Sequence, residues 1–352
     1  MLPYWLLFGF FAFGSLFARP DAQLNRKLVS LVVAWLVLTL MIGLRWEIGP
    51  DWISYSGWWD RAGNWPLARL LRLTEGDPVF YAVLWLIRQT GVPFWVFGLL
   101  MAAVFATGLV GFARLQANPW LAIAVAVPYL VIVVAMSGVR QATAIGFVFM
   151  ALRAFHRERG RGFLIYMALA ASFHASAILV FPLAGLSFAR NRFQSIVLIM
   201  LAAFAGYYLL NSTFDIYSER YFSRTVQSSG TLFRIGMSVV PAALYLLFRN
   251  RFQDSPRDRS LWRNFSIAAV LTLPLYFIVP STTALDRLVL YLFPLQIHVL
   301  ACVPSIQGGR GRNLIVLAIL AYLGAQQFAF FSYGLNRDPY VPYRTIFSSQ
   351  AE

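Results

Sequence analysis

The side chains best suited to chemistry are three polar residues set in apolar segments. Arg140 and Gln141 follow Gly138 at the start of one apolar run, and His174 stands in the middle of another. Polar groups are costly to bury in a membrane, so they often serve a substrate or a proton pathway there. A guanidinium offers paired donors to an anion such as phosphate, and an imidazole accepts a proton near neutral pH.

Arg140 and His174 also have structural explanations, which the sequence leaves open. Arg140 is close enough to the end of its run for the guanidinium to reach the lipid headgroups. His174 can bond to a backbone carbonyl that a helix break sets free. His298, deeper in a later segment, is expected to pack.

Further polar residues recur at the same ends of neighbouring segments. Asp51 and Tyr55 share one face if the chain after residue 50 is helical, and Tyr291 lies one helical turn beyond Arg287. Arg344 belongs to a polar tail that returns to this side. Glycine-rich phosphate loops, paired-histidine or cysteine metal motifs and nucleophile elbows are absent from the sequence, so we expect no metal and no cofactor. Glu75 and Asp77 are a weak alternative site for a divalent ion.

The elements that must position these residues are membrane helices. Of 352 residues, 59% are hydrophobic and 12% are charged, and the mean hydropathy of +0.66 is typical of an integral membrane protein. About ten runs approach the roughly 20 residues that span the hydrocarbon as helix. They cover residues 2–18, 28–44, 94–113, 119–136, 139–155, 193–211, 232–248, 265–280, 288–306 and 314–333.

Two segments fit a simple span poorly. Residues 79–91 are too short, and residues 163–187 are long, with His174 at the centre. If both are re-entrant or half-helical, most arginines fall on one side of the membrane, while basic and acidic residues balance on the other. The positive-inside rule then makes the basic side cytoplasmic. The sequence therefore predicts a single transmembrane domain over residues 1–352, an all-α polytopic protein with about ten transmembrane helices plus half-helices.

The predicted periplasmic loop at residues 45–78 contains an amphipathic element. Charged residues are interspersed there with Trp52, Trp58, Trp59 and Trp65, which suits an anchor at the lipid surface or a platform for sugars. The formal net charge of +15 follows from membrane sidedness and contact with lipids, so we expect no nucleic-acid partner. The first segment has no basic leader or small-residue cleavage site and is expected to be a retained helix.

Six fragments, in this order and spacing, resemble the EpsG family of bacterial exopolysaccharide proteins, which are Wzy-like polysaccharide polymerases. They are RWEIGPDWISY (45–55), EGDPVFY (75–81), SGVRQATA (137–144), SFHASAILVFP (172–182), DRLVLY (286–291) and YVPYRT (340–345). Where the family usually has Glu-Pro, this chain has Asp77-Pro78.

The resemblance implies a glycosyltransferase that polymerises oligosaccharide repeat units at the periplasmic face of the inner membrane. The donor and the acceptor would both be oligosaccharides on undecaprenyl diphosphate, and the flippase and chain-length regulator of the same pathway are candidate partners. In this hypothesis Arg140, Arg45 and Arg287 grip the diphosphate, with Arg344 as a weaker fourth, and direct inverting displacement is the default. His174 or Asp51 is the general base.

Gln141, Tyr55 and Tyr291 complete the predicted substrate-binding set. Three other functions stay open: a ligase resembling the O-antigen ligases, a lipid-linked sugar flippase, and a nonenzymatic partner of a polysaccharide machine. A flippase needs access from both faces, whereas the unusual polar residues here collect on one face.

Overall fold

The computed structural model describes residues 1–17, 24–73, 77–187, 230–278, 282–307 and 310–348, with isolated helical positions between 193 and 200. Within these ranges the chain is helical, and its one β feature is an isolated bridge between Arg45 and Thr345. The predicted all-α class is confirmed for this part of the chain. The predicted span at residues 193–211 lies largely outside it.

Five of the described helices are long and apolar enough to cross a membrane, so the protein is a multi-pass membrane protein. They cover Phe94–Ala113, Thr231–Arg251, Pro256–Ile278, Leu285–Ile306 and Gly311–Tyr333. Shorter apolar helices account for several of the other predicted spans. The count of about ten spans stays a prediction.

The chain divides into two compact units, Met1–Ala175 with Gln307–Glu352, and Ser176–Ile306. The prediction of a single transmembrane domain is untested. The first unit contains α1 (Leu2–Phe17), α2 (Leu24–Gly43), α3 (Trp52–Asn64), α4 (Leu67–Leu73), α5 (Pro78–Gln89), α6 (Phe94–Ala113), α7 (Pro119–Ala126), a π-helix (Val127–Ala135), α8 (Val139–His156) and α9 (Gly160–Phe173).

The second unit contains α10 (Val180–Gly185), α11 (Thr231–Phe248), α12 (Pro256–Ile278), α13 (Thr282–Leu290) and α14 (Phe293–Ile306). Helix α15 (Arg310–Tyr333) belongs to the first unit. In the second unit, Ile235, Leu285 and Val289 form a buried apolar cluster that joins α11 to α13.

Helices α6 and α8 pack with their backbones nearly in contact. A Cβ atom on Gly108 would lie 2.0 Å from the carbonyl oxygen of Gly146, and one on Gly146 would lie 2.8 Å from the Cα atom of Phe105. Small residues permit this approach, and close van der Waals packing is what holds helices together in lipid. The contact fixes α8, which carries Arg140 in its first turn.

The segment around His174 is broken, so the predicted interruption of the helix is confirmed, while its predicted re-entry on one side of the membrane is untested. Helix α9 ends at Phe173, His174 is extended, and the chain continues as a 3₁₀ turn at Ala175–Leu179. The predicted amphipathic element takes the form of α3 and α4. Helix α3 buries Tyr55, Trp59 and Ala62 on one face.

Candidate active site

Asp77 is the centre of a cluster that joins α5, α8 and the end of α9. Its Oδ2 atom accepts hydrogen bonds from Arg140 Nη1 at 3.1 Å and from His174 Nδ1 at 2.8 Å. Its Oδ1 atom accepts one from the backbone N–H of Ala175 at 3.0 Å. Arg140, Asp77 and His174 are called the Asp77 cluster below.

Local chain geometry presents this carboxylate to the other helices. Asp77 occupies the N-cap position of α5 in the left-handed region, with φ of +55°, and Pro78 is the first helical residue. Aspartate tolerates this conformation better than most residues, and proline suits the first turn. The Asp77 side chain makes no cap on its own helix. It is instead directed at residues from distant parts of the chain.

The Asp77 side chain is 5% exposed and remains ionised. Burial by itself raises the pKa of the carboxyl, but hydrogen bonding and charge from His174, together with the charge of Arg140, bring the pKa below its ordinary value. An ionised carboxylate only accepts hydrogen bonds, so Nδ1 of His174 must carry the proton. In a neutral imidazole, the Nε2 atom is then the basic one.

The His174 side chain is 13% exposed. Its extended backbone interrupts the helix, while its own N–H still donates to the carbonyl of Ala170 at 2.9 Å. Among the described residues, Nε2 has no hydrogen-bond partner. The break therefore holds an oriented imidazole whose basic nitrogen is free to act on a bound group.

Arg140 keeps part of its hydrogen-bonding capacity unused. Its side chain is 31% exposed and lies over the ring of Tyr81, with 5.6 Å from Cζ to the ring centroid. Its Nε atom is buried and has no partner among the described residues, and the same holds for Nε2 of Gln141. These unused donors belong to consecutive residues in the first turn of α8.

Tyr55 and Asp51 approach the start of α8 from α3. The Tyr55 hydroxyl lies 3.5 Å from the backbone nitrogen of Arg140, and burial raises its pKa to about 12, so it stays protonated. Asp51 is exposed and accepts a hydrogen bond from Ser137 Oγ at 3.1 Å. Asp51 thus makes a contact separate from the Asp77 cluster.

Arg45 lies at the same end of the first unit but binds backbone. Its Nε atom donates to the carbonyl of Met136 at 2.8 Å and its Nη1 atom to that of Ile42 at 2.5 Å. It also lines a small crevice of about 10 Å³, room for one water molecule at most, with residues of α2, α6, the π-helix and α8. Arg45 therefore ties α2 to the end of the π-helix, and its predicted contact with a diphosphate is untested.

The C-terminal tail is bonded to the segment that directly follows α2. Arg344 Nη1 lies 3.2 Å from Glu47 Oε2 in an exposed ion pair. The backbone of Trp46 donates to the carbonyl of Arg344 at 3.0 Å, and Ile346 donates to that of Leu44 at 3.1 Å. A substrate role for Arg344 stays a prediction.

Arg287 and Tyr291 belong to the second unit, and their predicted contacts with substrate are untested. Arg287 is half-buried on α13 and Tyr291 is buried just after it. The neighbouring Asp286 is held by Arg234, whose Nε and Nη2 atoms donate to its two oxygens at 2.9 and 2.5 Å. Arg234 was not singled out from the sequence.

The second unit holds another buried His–Asp pair. His298 Nε2 lies 3.3 Å from Asp254 Oδ1, and the Tyr245 hydroxyl donates to Asp254 Oδ2 at 2.8 Å. His298 stacks on Trp262 with 4.4 Å between ring centroids, which agrees with the packing role expected for it. This pair is a matched comparison for Asp77 and His174.

The sequence does not predict that Asp77 contacts Arg140 and His174. Asp77 was weighed with Glu75 as a weak metal site, and Glu75 lies outside the described residues. In the part of the chain that the structure describes, no three His, Cys, Asp or Glu side chains form a group able to hold a metal ion. A signal for this contact exists in the sequence: an arginine and a histidine buried in apolar segments need a negatively charged partner, and Asp77 is an acid near such a segment.

The profile of the EpsG family matches residues 28–345, nearly the whole chain. No curated protein matches the chain. No solved structure matches it either.

Proposed function

Because the chain belongs to the EpsG family, a family of Wzy-like polysaccharide polymerases, we propose that it joins undecaprenyl-diphosphate-linked oligosaccharides into an exopolysaccharide or O-antigen-like glycan. The reaction takes place at the periplasmic face of the inner membrane and uses no metal. One oligosaccharide is the donor and another is the acceptor. Membrane lipids and the flippase and chain-length regulator of the same pathway are further partners.

The observation that carries this proposal is the Asp77 cluster. It combines a cation with unused donors, at Arg140, and a base oriented by a carboxylate, at His174. Transfer from a lipid diphosphate needs both, because the leaving group gains negative charge and the attacking hydroxyl loses a proton. A histidine held by an aspartate through Nδ1 is a well-understood arrangement for such a base.

In the proposed reaction, a hydroxyl of the acceptor sugar attacks the anomeric carbon of the donor glycan. The proton of this hydroxyl passes to Nε2 of His174 as the new C–O bond forms. The bond from the anomeric carbon to the diphosphate breaks, and its electron pair leaves with undecaprenyl diphosphate. Arg140 and the Nε2 donor of Gln141 stabilise the charge that develops on the diphosphate. One direct displacement inverts the configuration at the anomeric carbon.

The other candidate residues take supporting roles. Asp77 is a positioning residue that fixes the tautomer of His174 and the direction of Arg140. Arg45 holds the carbonyl of Met136, four residues before Arg140. We favour His174 over Asp51 as the base, because Asp77 already orients the imidazole. Asp51 and Tyr55 border the start of α8 and contact the acceptor sugar.

Charge distribution supports the assignment of sides. Helix α8 begins beside Arg140 and ends at Arg157, which is followed by Arg159 in the loop and Arg161 at the start of α9. By the positive-inside rule the basic loop is cytoplasmic, so the Asp77 cluster faces the periplasm. Undecaprenyl-linked repeat units would meet the cluster there.

The proposal is tested with purified protein in lipid and a synthetic oligosaccharide on undecaprenyl diphosphate, incubated with and without a chelator. The expected product is a ladder of glycan lengths that persists with the chelator. A single transfer product would indicate a ligase, and movement of substrate across a vesicle membrane without new bonds would indicate a flippase. Loss of the ladder with chelator would point to a metal site.

A pair of matched variants tests the role of the cluster. His174→Gln removes the base and should lower the rate about 10²-fold or more. His298→Gln removes the other buried histidine, which also has an aspartate partner, and should keep the wild-type rate while the protein stays folded. Equal losses in both variants would mean that His174 acts through stability alone.

A further inference from the structure

The first unit has a second group of charged residues, all arginines, at the opposite end of α8 from the Asp77 cluster. Helices α6 and α8 run parallel, and each ends at an arginine, Arg114 for α6 and Arg157 for α8. Arg153 lies in the last turn of α8 and Arg159 in the loop that follows. These four residues are called the arginine cluster.

The Arg153 side chain packs against α6 at Gly111. A Cβ atom on Gly111 would lie 3.0 Å from Nη1 of Arg153, so the missing side chain at this position lets the guanidinium lie close against α6. Arg114 follows Gly111 by three residues and therefore lies on the same face of α6. Arg153 is close enough to Arg157, Arg114 and Arg159 to be repelled by their charges.

One acidic residue, Glu158, lies within the loop of this cluster, between Arg157 and Arg159, so the four arginines outnumber the acids there. None of its four arginines makes an ion pair with an acidic side chain there. The ends of α6 and α8 together supply about one negative charge from their dipoles, which is less than the four guanidinium groups carry. A group with several negatively charged oxygens would offset the remaining repulsion.

We propose that the arginine cluster binds the phosphate of an anionic phospholipid headgroup in the leaflet opposite the Asp77 cluster. Arg140 and Arg157 are 17 positions apart on α8, about 25 Å at the rise of an α-helix. The arginine cluster is therefore near the other surface of a hydrocarbon core of about 30 Å. Basic pockets between helix ends commonly hold such headgroups.

Exposed apolar residues next to the cluster favour a lipid over a soluble phosphate compound. Helix α9 starts at Gly160, right after the basic loop, and packs along α8. Leu164 and Ile165, in its second turn, are 53% and 59% exposed. Acyl chains of a lipid whose phosphate sits on the arginines would cover these side chains.

The experiment measures which lipids stay bound when the full-length protein is released from nanodiscs containing equal amounts of phosphatidylglycerol and phosphatidylcholine, by native mass spectrometry. Wild type should retain phosphatidylglycerol preferentially. Arg114→Gln with Arg157→Gln should weaken that retention about fivefold for each arginine. The control, Arg249→Gln with Arg251→Gln, removes the same charge from an exposed loop of the second unit and should retain phosphatidylglycerol as wild type does.

Three results would overturn the proposal. The first is equal retention of both lipids by wild type, and the second is an equal loss in the two double variants, which would reduce the effect to net charge. The third is displacement of phosphatidylglycerol by inorganic pyrophosphate at equal concentration, which would assign the cluster to a soluble phosphate compound. Thermal unfolding of each variant identifies any loss that comes from misfolding.

Discussion

Replacing Asp77 with asparagine tests the central geometry most directly. Asparagine preserves the shape of the side chain but removes the charge that fixes the proton on Nδ1 of His174. Without that charge the imidazole loses its fixed tautomer, so Nε2 is no longer always the proton acceptor. Since a general base contributes about 10²- to 10⁴-fold to a rate, we expect kcat for chain elongation to fall at least about 10²-fold.

The same change should not weaken substrate binding. In the wild type the Asp77 carboxylate lies 3.1 Å from Nη1 of Arg140 and offsets part of the attraction between that guanidinium and a diphosphate. Removing the carboxylate leaves Arg140 more available, so KM for the lipid-linked donor should stay equal or decrease. A variant that only damages the fold would instead lose active protein without this division between kcat and KM.

The assay is the initial rate of glycan elongation at several donor concentrations, with folded protein quantified by size exclusion and thermal unfolding. Asp254→Asn is the control, because Asp254 pairs with the other buried histidine at 3.3 Å and has no proposed part in the reaction. A folded Asp77→Asn protein with the wild-type kcat would refute the role assigned to Asp77. Asparagine is preferred to alanine, which would leave three donors without an acceptor at about 1–3 kcal/mol of stability.

Three further outcomes are expected. Arg140→Gln should lower the elongation rate about 10²-fold or more, and Arg140→Lys should recover only part of it, because lysine keeps the charge without the paired donors; full recovery in lysine would contradict paired binding. The pKa of Asp77 is lowered in the folded protein, so its stabilisation is complete above the ordinary carboxyl pKa of about 4 and is lost as the pH falls through the lowered value. The Tm difference between wild type and Asp77→Asn should therefore be constant near neutral pH and shrink in acid, and a difference that grows in acid would reverse the assigned sign. Gly108→Ala would place a methyl group 2.0 Å from the carbonyl oxygen of Gly146 and should destabilise the protein by about 1–3 kcal/mol, whereas Gly9→Ala, with nothing within 4 Å, should leave Tm almost unchanged.

Features that depend on neighbouring residues were predictable from the sequence. Apolar runs predict helices because lipid forces the backbone to bond internally, and the long run around His174 predicts a broken helix, which the structure contains. The position of Arg140 at the start of an apolar helix is likewise a local feature. Arg140 at a helix start and His174 at a helix break are therefore recognisable as candidate site residues from the sequence.

Features that depend on distant partners were not predictable in this way. Arg234, rather than a neighbour in the chain, holds Asp286 from 52 positions away. The sequence likewise gives no sign that the Nε and Nη1 donors of Arg45 reach the carbonyls of Met136 and Ile42. An arginine of this kind looks the same in sequence whether it serves a ligand or the backbone.

The sequence by itself determined that this chain is a multi-pass helical membrane protein of the EpsG family, with a broken helix at His174. Only the tertiary structure decided which acid accompanies Arg140 and His174, since Asp77 lies 63 and 97 positions from them. The physical reason is range: helix formation and burial in lipid act on local composition, whereas the pairing of buried charges requires that helices first pack and bring distant side chains within hydrogen-bonding distance.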